Sequence, residues 1–121
     1  MCTFLGTAGK INANDVDIIS IKNSEMIFLE GYLWDEGDPK SAFDRAINNS
    51  NKVAMSLSDL FCVERHKASF LDLVKNKIDI TFANEQEITS LLNVKNFEEV
   101  VSFSKQIGKM IIITRGEKGS I

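Results

Sequence analysis

Apolar and polar positions along this chain fall into blocks of two different periods. Met26-Ile27-Phe28-Leu29 is an unbroken apolar run closed by Glu30 and Gly31, which predicts a short buried strand. Gly37, Asp38 and Pro39 then break the chain. From Ser41 to Asn49, Ala42, Phe43, Ala46 and Ile47 recur at helical spacing. Lys52 to Leu57 reads as the next strand. From Val63 to Asn76 the apolar Val63, Phe70, Leu71 and Val74 form one stripe among Glu64, Arg65, His66, Lys67, Asp72 and Lys75, as on a helix with one buried face. Ile78 to Ala83 predicts a third strand. Glu85 to Leu92 and Phe97 to Ile107 predict two helices interrupted at Asn93 to Asn96. Ile88, Leu91 and Leu92 face inward on the first, and Val100, Val101, Phe103 and Ile107 on the second. Met110 to Thr114 is a nearly all-apolar strand, as in a sheet covered on both faces.

Strands taking turns with helices predict βαβ units and a mostly parallel sheet. No internal repeat, low-complexity tract or Pro- or Gly/Ser-rich linker divides the chain. With 121 residues, 44% of them hydrophobic and 26% charged, one modest core is affordable, so the expectation is a single α/β domain or part of one. Ser120-Ile121 reads as the start of a further strand after a turn at Gly116 to Gly119, so the chain is expected to stop inside a sheet.

Charge narrows the functional classes. The formal net charge is -3, the pI is near 5.1, and no Lys/Arg cluster is present, which disfavours nucleic-acid binding through a basic face. The apolar runs are far shorter than the roughly 20 residues that span a bilayer. Met1 to Gly6 carries no basic stretch followed by an apolar one. The expectation is a cytoplasmic protein with no membrane partner. Cys2 and Cys62 lack a metal-ligand spacing and are read as reduced, unpaired thiols. Cys62 and His66 stand at i and i+4, neighbours on a helix with no third member to make a nucleophile, and His66 is expected at the surface.

Candidate chemistry concentrates in two segments, each leaving an apolar strand for polar or glycine-rich residues, where a parallel α/β sheet holds its ligand groups. In Asp79-Ile80-Thr81-Phe82-Ala83-Asn84-Glu85-Gln86-Glu87-Ile88, Asn84 can offer its amide to phosphate or a metal-bound water, and Glu87 can hold such a water in a magnesium shell. Asn followed three residues later by Glu is equally a capping box, and both roles can coexist. In Thr114-Arg115-Gly116-Glu117-Lys118-Gly119, glycine lets backbone approach a ligand and Thr114 offers a hydroxyl. The same residues also suit a tight hairpin turn. The Gly-Lys-Ser/Thr ending of a Walker A loop is missing, so Lys118 is not a P-loop lysine. Ser58 and Asp59 suit a turn and the cap of the following helix. Tyr32 and Trp34 either stack on a base or pack beneath a loop. Glu30, Asp35, Glu36 and Asp38 crowd that loop with negative charge, which suits sugar hydroxyls better than phosphate.

Phe28-Leu29-Glu30-Gly31-Tyr32-Leu33-Trp34, Leu57-Ser58-Asp59-Leu60-Phe61-Cys62-Val63-Glu64-Arg65-His66, Asp79 to Glu87 and Ile113-Thr114-Arg115-Gly116-Glu117-Lys118-Gly119 together resemble the middle portion of ribokinase-type (PfkB) carbohydrate and nucleoside kinases, and within them the adenosine-kinase-like bacterial branch. The resemblance implies a ribokinase-like three-layer αβα sandwich, present over residues 1–121 as the central part of a single domain. It implies ATP and magnesium as cofactors, and phosphoryl transfer to an alcohol group of a sugar or nucleoside acceptor. Asn84 and Glu87 match the family's Asn-x-x-Glu motif for magnesium and phosphate, with Glu87 on the metal side. Thr114 and Gly116 match its nucleotide-side Thr-x-Gly. The family's Asp-Thr-x-Gly-Ala-Gly-Asp segment, which carries the anion hole and catalytic base, is absent, as is the N-terminal part that supplies the lid and most acceptor contacts. The expectation is therefore a kinase as the full-length parent, no catalytic residue in this chain, and no activity from it alone. Unpaired sheet edges would favour self-association. The alternative is a non-catalytic α/β nucleotide- or protein-binding module.

Overall fold

Four parallel strands lie in the order of the sequence, each joined to the next by one or two helices. The computed structural model describes residues 4, 6–34 and 38–121; Cys2, Asp35, Glu36, the Gly37 break and most of the 1–6 segment read above lie outside them. The strands are β1 (Ile27–Glu30), β2 (Val53–Ser56), β3 (Ile80–Asn84) and β4 (Met110–Thr114). Ahead of the sheet come two short 3-10 turns, Gly6–Lys10 and Ala13–Asp15, and a single turn of helix α1 (Ile18–Lys22), none of which the periodicity predicts.

The helices start where their caps dictate. Helix α2 (Pro39–Asn49) begins two residues before the predicted start at Ser41, because the Asp38 carboxylate accepts from Ser41 N and Pro39 occupies the first turn. Helix α3 (Leu60–Asn76) begins at the Asp59 cap, whose Oδ1 accepts from Cys62 N at 2.6 Å, three residues ahead of the predicted start. Its backbone leaves helical geometry at His66. Helix α4 (Glu85–Leu92) ends on Asn93 in the left-handed region, and α5 (Phe97–Ile107) ends on Gly108 in the same conformation.

All the long helices pack on one face of the sheet. Ile27, Leu29, Val53, Met55, Ala83, Ile111 and Ile113 share a core with Phe43, Val63, Phe70, Leu73, Val74, Ile88, Leu91 and Val100 from α2 to α5. Strand side chains alternate between faces, so Phe28, Ile80, Phe82, Met110 and Ile112 point the other way, where Phe28 remains 52% and Met110 57% exposed. The rings of Phe28 and Phe82 meet there at 5.8 Å. Two layers of the expected sandwich are thus formed by the described residues. The apolar β4 is only half covered, and its composition reflects two apolar faces rather than two buried ones.

At the outer edge of β4, Ile113 and Ile121 exchange backbone hydrogen bonds of 2.8 and 3.0 Å, and Thr114 bridges Ser120 in antiparallel fashion. The expected continuation at Ser120-Ile121 is realised as the return arm of a hairpin. No described strand pairs with the outer edge of β1.

Trp34 packs rather than stacking on a ligand: its ring meets Phe43 edge-on at 5.0 Å and Phe70 at 5.9 Å. His66 joins the same group, 5.8 Å from Phe70 and 6.5 Å from Trp34. It is half-buried rather than a surface residue, because the irregular turn in α3 carries the imidazole towards the aromatic cluster. Cys62 is buried and its thiol donates to Gly31 O at 3.2 Å.

Candidate functional site

Register places the two candidate segments side by side. Asn84, the last residue of β3, pairs with Thr114, the last of β4, so both chain exits lie at the carboxyl edge of the parallel sheet, where such sheets bind ligands.

The β3 exit is a closed structure. Asn84 caps α4 with Oδ1 accepting from Glu87 N at 2.8 Å, while Glu87 accepts from Asn84 N at 2.9 Å and from Asn84 Nδ2 at 2.7 Å. The capping box is real, and it carries one bond more than a simple box requires. Glu87 is only 5% exposed. Burial raises its carboxyl above the ordinary 4.5, the Asn84 N–H pulls the other way, and the Asp59 charge adds to the rise. Ser56, Ser58, Asn84, Glu87 and Thr114 border a cleft of 230 Å³ beside it.

The β4 exit is open. Thr114 is exposed, and Gly116 sits at φ +59° with nothing within 4 Å of where a Cβ would stand. The residues form a hairpin turn: Arg115 N donates to Gly119 O at 2.8 Å and Gly116–Lys118 make a 3-10 turn. Glycine is required here by its left-handed backbone rather than by lack of room. A shallow cleft of 370 Å³ is lined by Asn84, Glu85, Gln86, Thr114, Arg115 and Gly116. All four residues expected at the site, Asn84, Glu87, Thr114 and Gly116, are therefore gathered at one edge.

A third exit supports the others. Beyond β2, Ser58 lies in the left-handed region at φ 72°. Its hydroxyl accepts from Tyr32 N at 3.2 Å and donates towards Glu30 Oε2 at 3.3 Å. Gly31 crosses so closely that an added Cβ would stand 2.9 Å from Leu57 O and 3.0 Å from Ser56 O. Tyr32 ionises less readily than usual, chiefly through burial and then through Asp59.

Sequence reading missed Arg115 and Glu85. Arg115 Nε donates to Glu85 Oε2 at 3.0 Å and Nη2 to Glu85 Oε1 at 3.3 Å. Its guanidinium lies 4.0 Å from the Phe97 ring centroid. The partners are far apart in sequence, and only strand pairing brings them together.

Among the described residues no three His, Cys, Asp or Glu side chains converge as a metal site. Both Glu87 oxygens already receive Asn84 donors, which fits contact with a metal-bound water better than direct ligation. Magnesium commonly retains waters and takes further ligands from substrate phosphates, so a single second-sphere carboxylate is compatible with it.

No protein-family model and no curated protein matches the chain. Solved structures do. The chain is 32% identical to an adenosine kinase from Sinorhizobium meliloti, over 93% of this chain and 36% of that one, with a TM-score of 0.86. This is a partial ribokinase-like unit. A probable sugar kinase from Rhizobium etli CFN 42 is also 32% identical, over 91% of this chain and 35% of its own, with a TM-score of 0.79. A putative ribokinase II from E. coli, solved with ATP and Mg2+, shares the fold at 14% identity and a TM-score of 0.74, over 90% of this chain and 38% of its own. The ribokinase-like unit thus spans little more than a third of the length of the kinases it matches. No helix among its described residues is long and apolar enough to cross a membrane.

Proposed function

We propose that residues 1–121 are the central part of a single ribokinase-like domain in a cytoplasmic kinase that transfers a phosphoryl group from ATP, with magnesium, to a hydroxyl of a sugar or nucleoside. The observation that carries this reading is the Asn84–Thr114 pairing, which sets an Asn-x-x-Glu segment beside a Thr-x-Gly segment at the sheet's carboxyl edge. It is supported by 32% identity to an adenosine kinase and to a probable sugar kinase.

Each residue has a role its geometry suits. Thr114 offers an exposed hydroxyl to a phosphate or ribose oxygen, and Gly116 lets the nucleotide approach backbone N–H groups. The Asn84–Glu87 box fixes the start of α4, and Glu87 orients a water on the magnesium side. Magnesium, when bound, offsets negative charge on the phosphate oxygens. Phosphoryl transfer rests on positioning and electrostatics, and no catalytic base is assigned among these residues, so the 121-residue chain alone is expected to be inactive. The outer edge of β1, with which no described strand pairs, also suits self-association of the isolated segment.

The test is a magnesium-dependent phosphoryl-transfer assay on the intact protein against a panel of nucleosides and sugars, with Glu87→Gln run beside it. Turnover of one acceptor that falls sharply in the variant is the expected result. A folded protein that turns over no acceptor would replace this reading with a non-catalytic binding module.

A further inference from the structure

The cleft between the two chain exits contains a carboxylate that an anionic ligand would have to approach. Glu85 lines that cleft in the first turn of α4, at the helix end where N–H groups favour a phosphate. A bare carboxylate there would repel it. Arg115, between Thr114 and Gly116, engages both Glu85 oxygens, and Phe97 in the first turn of α5 lies against its guanidinium. One side chain thereby ties the turn after β4 to the starts of two helices. Gly116 itself has no packing neighbour within 4 Å of its Cβ position. The turn after β4 is also held by its own backbone bonds and by the Ser120-Ile121 return arm, and Lys118 in it adds a second positive charge near Glu85.

Resting on the nucleotide reading above, we infer that Arg115 is a positioning residue for nucleotide binding. It sets the Thr114–Gly116 turn against α4 and neutralises the Glu85 carboxylate at the cleft, without itself contacting the reacting atoms. Lysine is a poor replacement, because a single ammonium gives neither the planar fork for two carboxylate oxygens nor the flat face for Phe97.

The experiment is calorimetric titration of the intact protein with ATP and magnesium, for the wild type, Arg115→Lys, Arg115→Ala, and Arg115→Ala combined with Glu85→Gln. Melting temperatures are recorded alongside. Arg115→Ala is expected to raise Kd at least about tenfold, with Arg115→Lys intermediate, while melting temperature changes little because the pair is partly solvated. Removing the bared carboxylate in the double variant should recover about threefold or more of that loss, which a merely structural role would not produce. Affinity within about twofold of wild type in Arg115→Ala overturns the inference alone, and an unrecovered loss in the double variant overturns the charge-masking role. A wild-type protein that binds no nucleotide overturns the nucleotide reading, and this inference falls with it.

Discussion

The ends of β3 and β4 stand next to each other in register, yet they are held by different means. At Asn84 the chain enters a helix at once, and three part-buried hydrogen bonds join the exposed Asn84 to the buried Glu87. At Thr114 the chain enters a glycine turn whose side chains are mostly exposed, fixed to its neighbour by the Arg115–Glu85 pair. A buried polar network is rigid but intolerant of losing one member. A solvated ion pair can be broken and remade at small cost. The difference matches the proposed roles, a cap that fixes the start of α4 beside a turn that an ion pair positions for the nucleotide.

The largest test of this contrast removes the closed junction. Asn84→Ala deletes the cap and leaves the Glu87 carboxylate buried without its side-chain donor, so a loss of about 2–3 kcal/mol in urea unfolding is expected. A loss below about 0.5 kcal/mol would show the junction to be no firmer than the turn beside it. Gly116→Ala should destabilise by about 1 kcal/mol, because its φ of +59° strains an L-residue although space is free. At Thr114, replacement by Val should leave stability within about 0.5 kcal/mol while weakening nucleotide affinity. Equal effects on both would mean the hydroxyl is structural.

A pH series sharpens the comparison further. Burial lifts Glu87 above its ordinary 4.5, so over a window above 4.5 the folded protein keeps a proton that the unfolded chain has released. Stability from this group is present below that window and lost as pH rises through it. Glu87→Gln removes the dependence. The stability of wild type relative to the variant should therefore decline as pH rises above the ordinary 4.5, and a flat difference would mean that Glu87 is effectively solvated. Glu85 differs in sign: its hydrogen bond to Arg115 holds its carboxyl below 4.5, so whatever the pair contributes is present above 4.5 and fades as pH falls through the lowered value.

Much of this architecture was legible from local pattern. The α2 to α5 stripes, the four strands and the Asn84–Glu87 box depend on residues close together in sequence, whose spacing records which face is buried. The shifts at α2 and α3 are cap effects: Asp38 and Asp59 start helices before the first apolar position of the stripe. His66 was misplaced because helical spacing assigns it to the surface, whereas the irregular backbone at that residue turns the ring towards Trp34 and Phe70. The apolar composition of β4 overstated its burial, since hydrophobicity reports what a surface can bury and not what covers it.

By itself, then, the sequence determined the parallel α/β order, the helix caps and the two polar exits, because each follows from propensity and periodicity within a few residues. Only the tertiary structure decided that Asn84 faces Thr114, that Arg115 finds Glu85 and Phe97, and that the carboxylate of Glu87 is buried beside Asp59. Those pairings join distant parts of the chain. They exist because strand register and helix packing bring the parts together, and local sequence carries no record of a neighbour supplied from another strand.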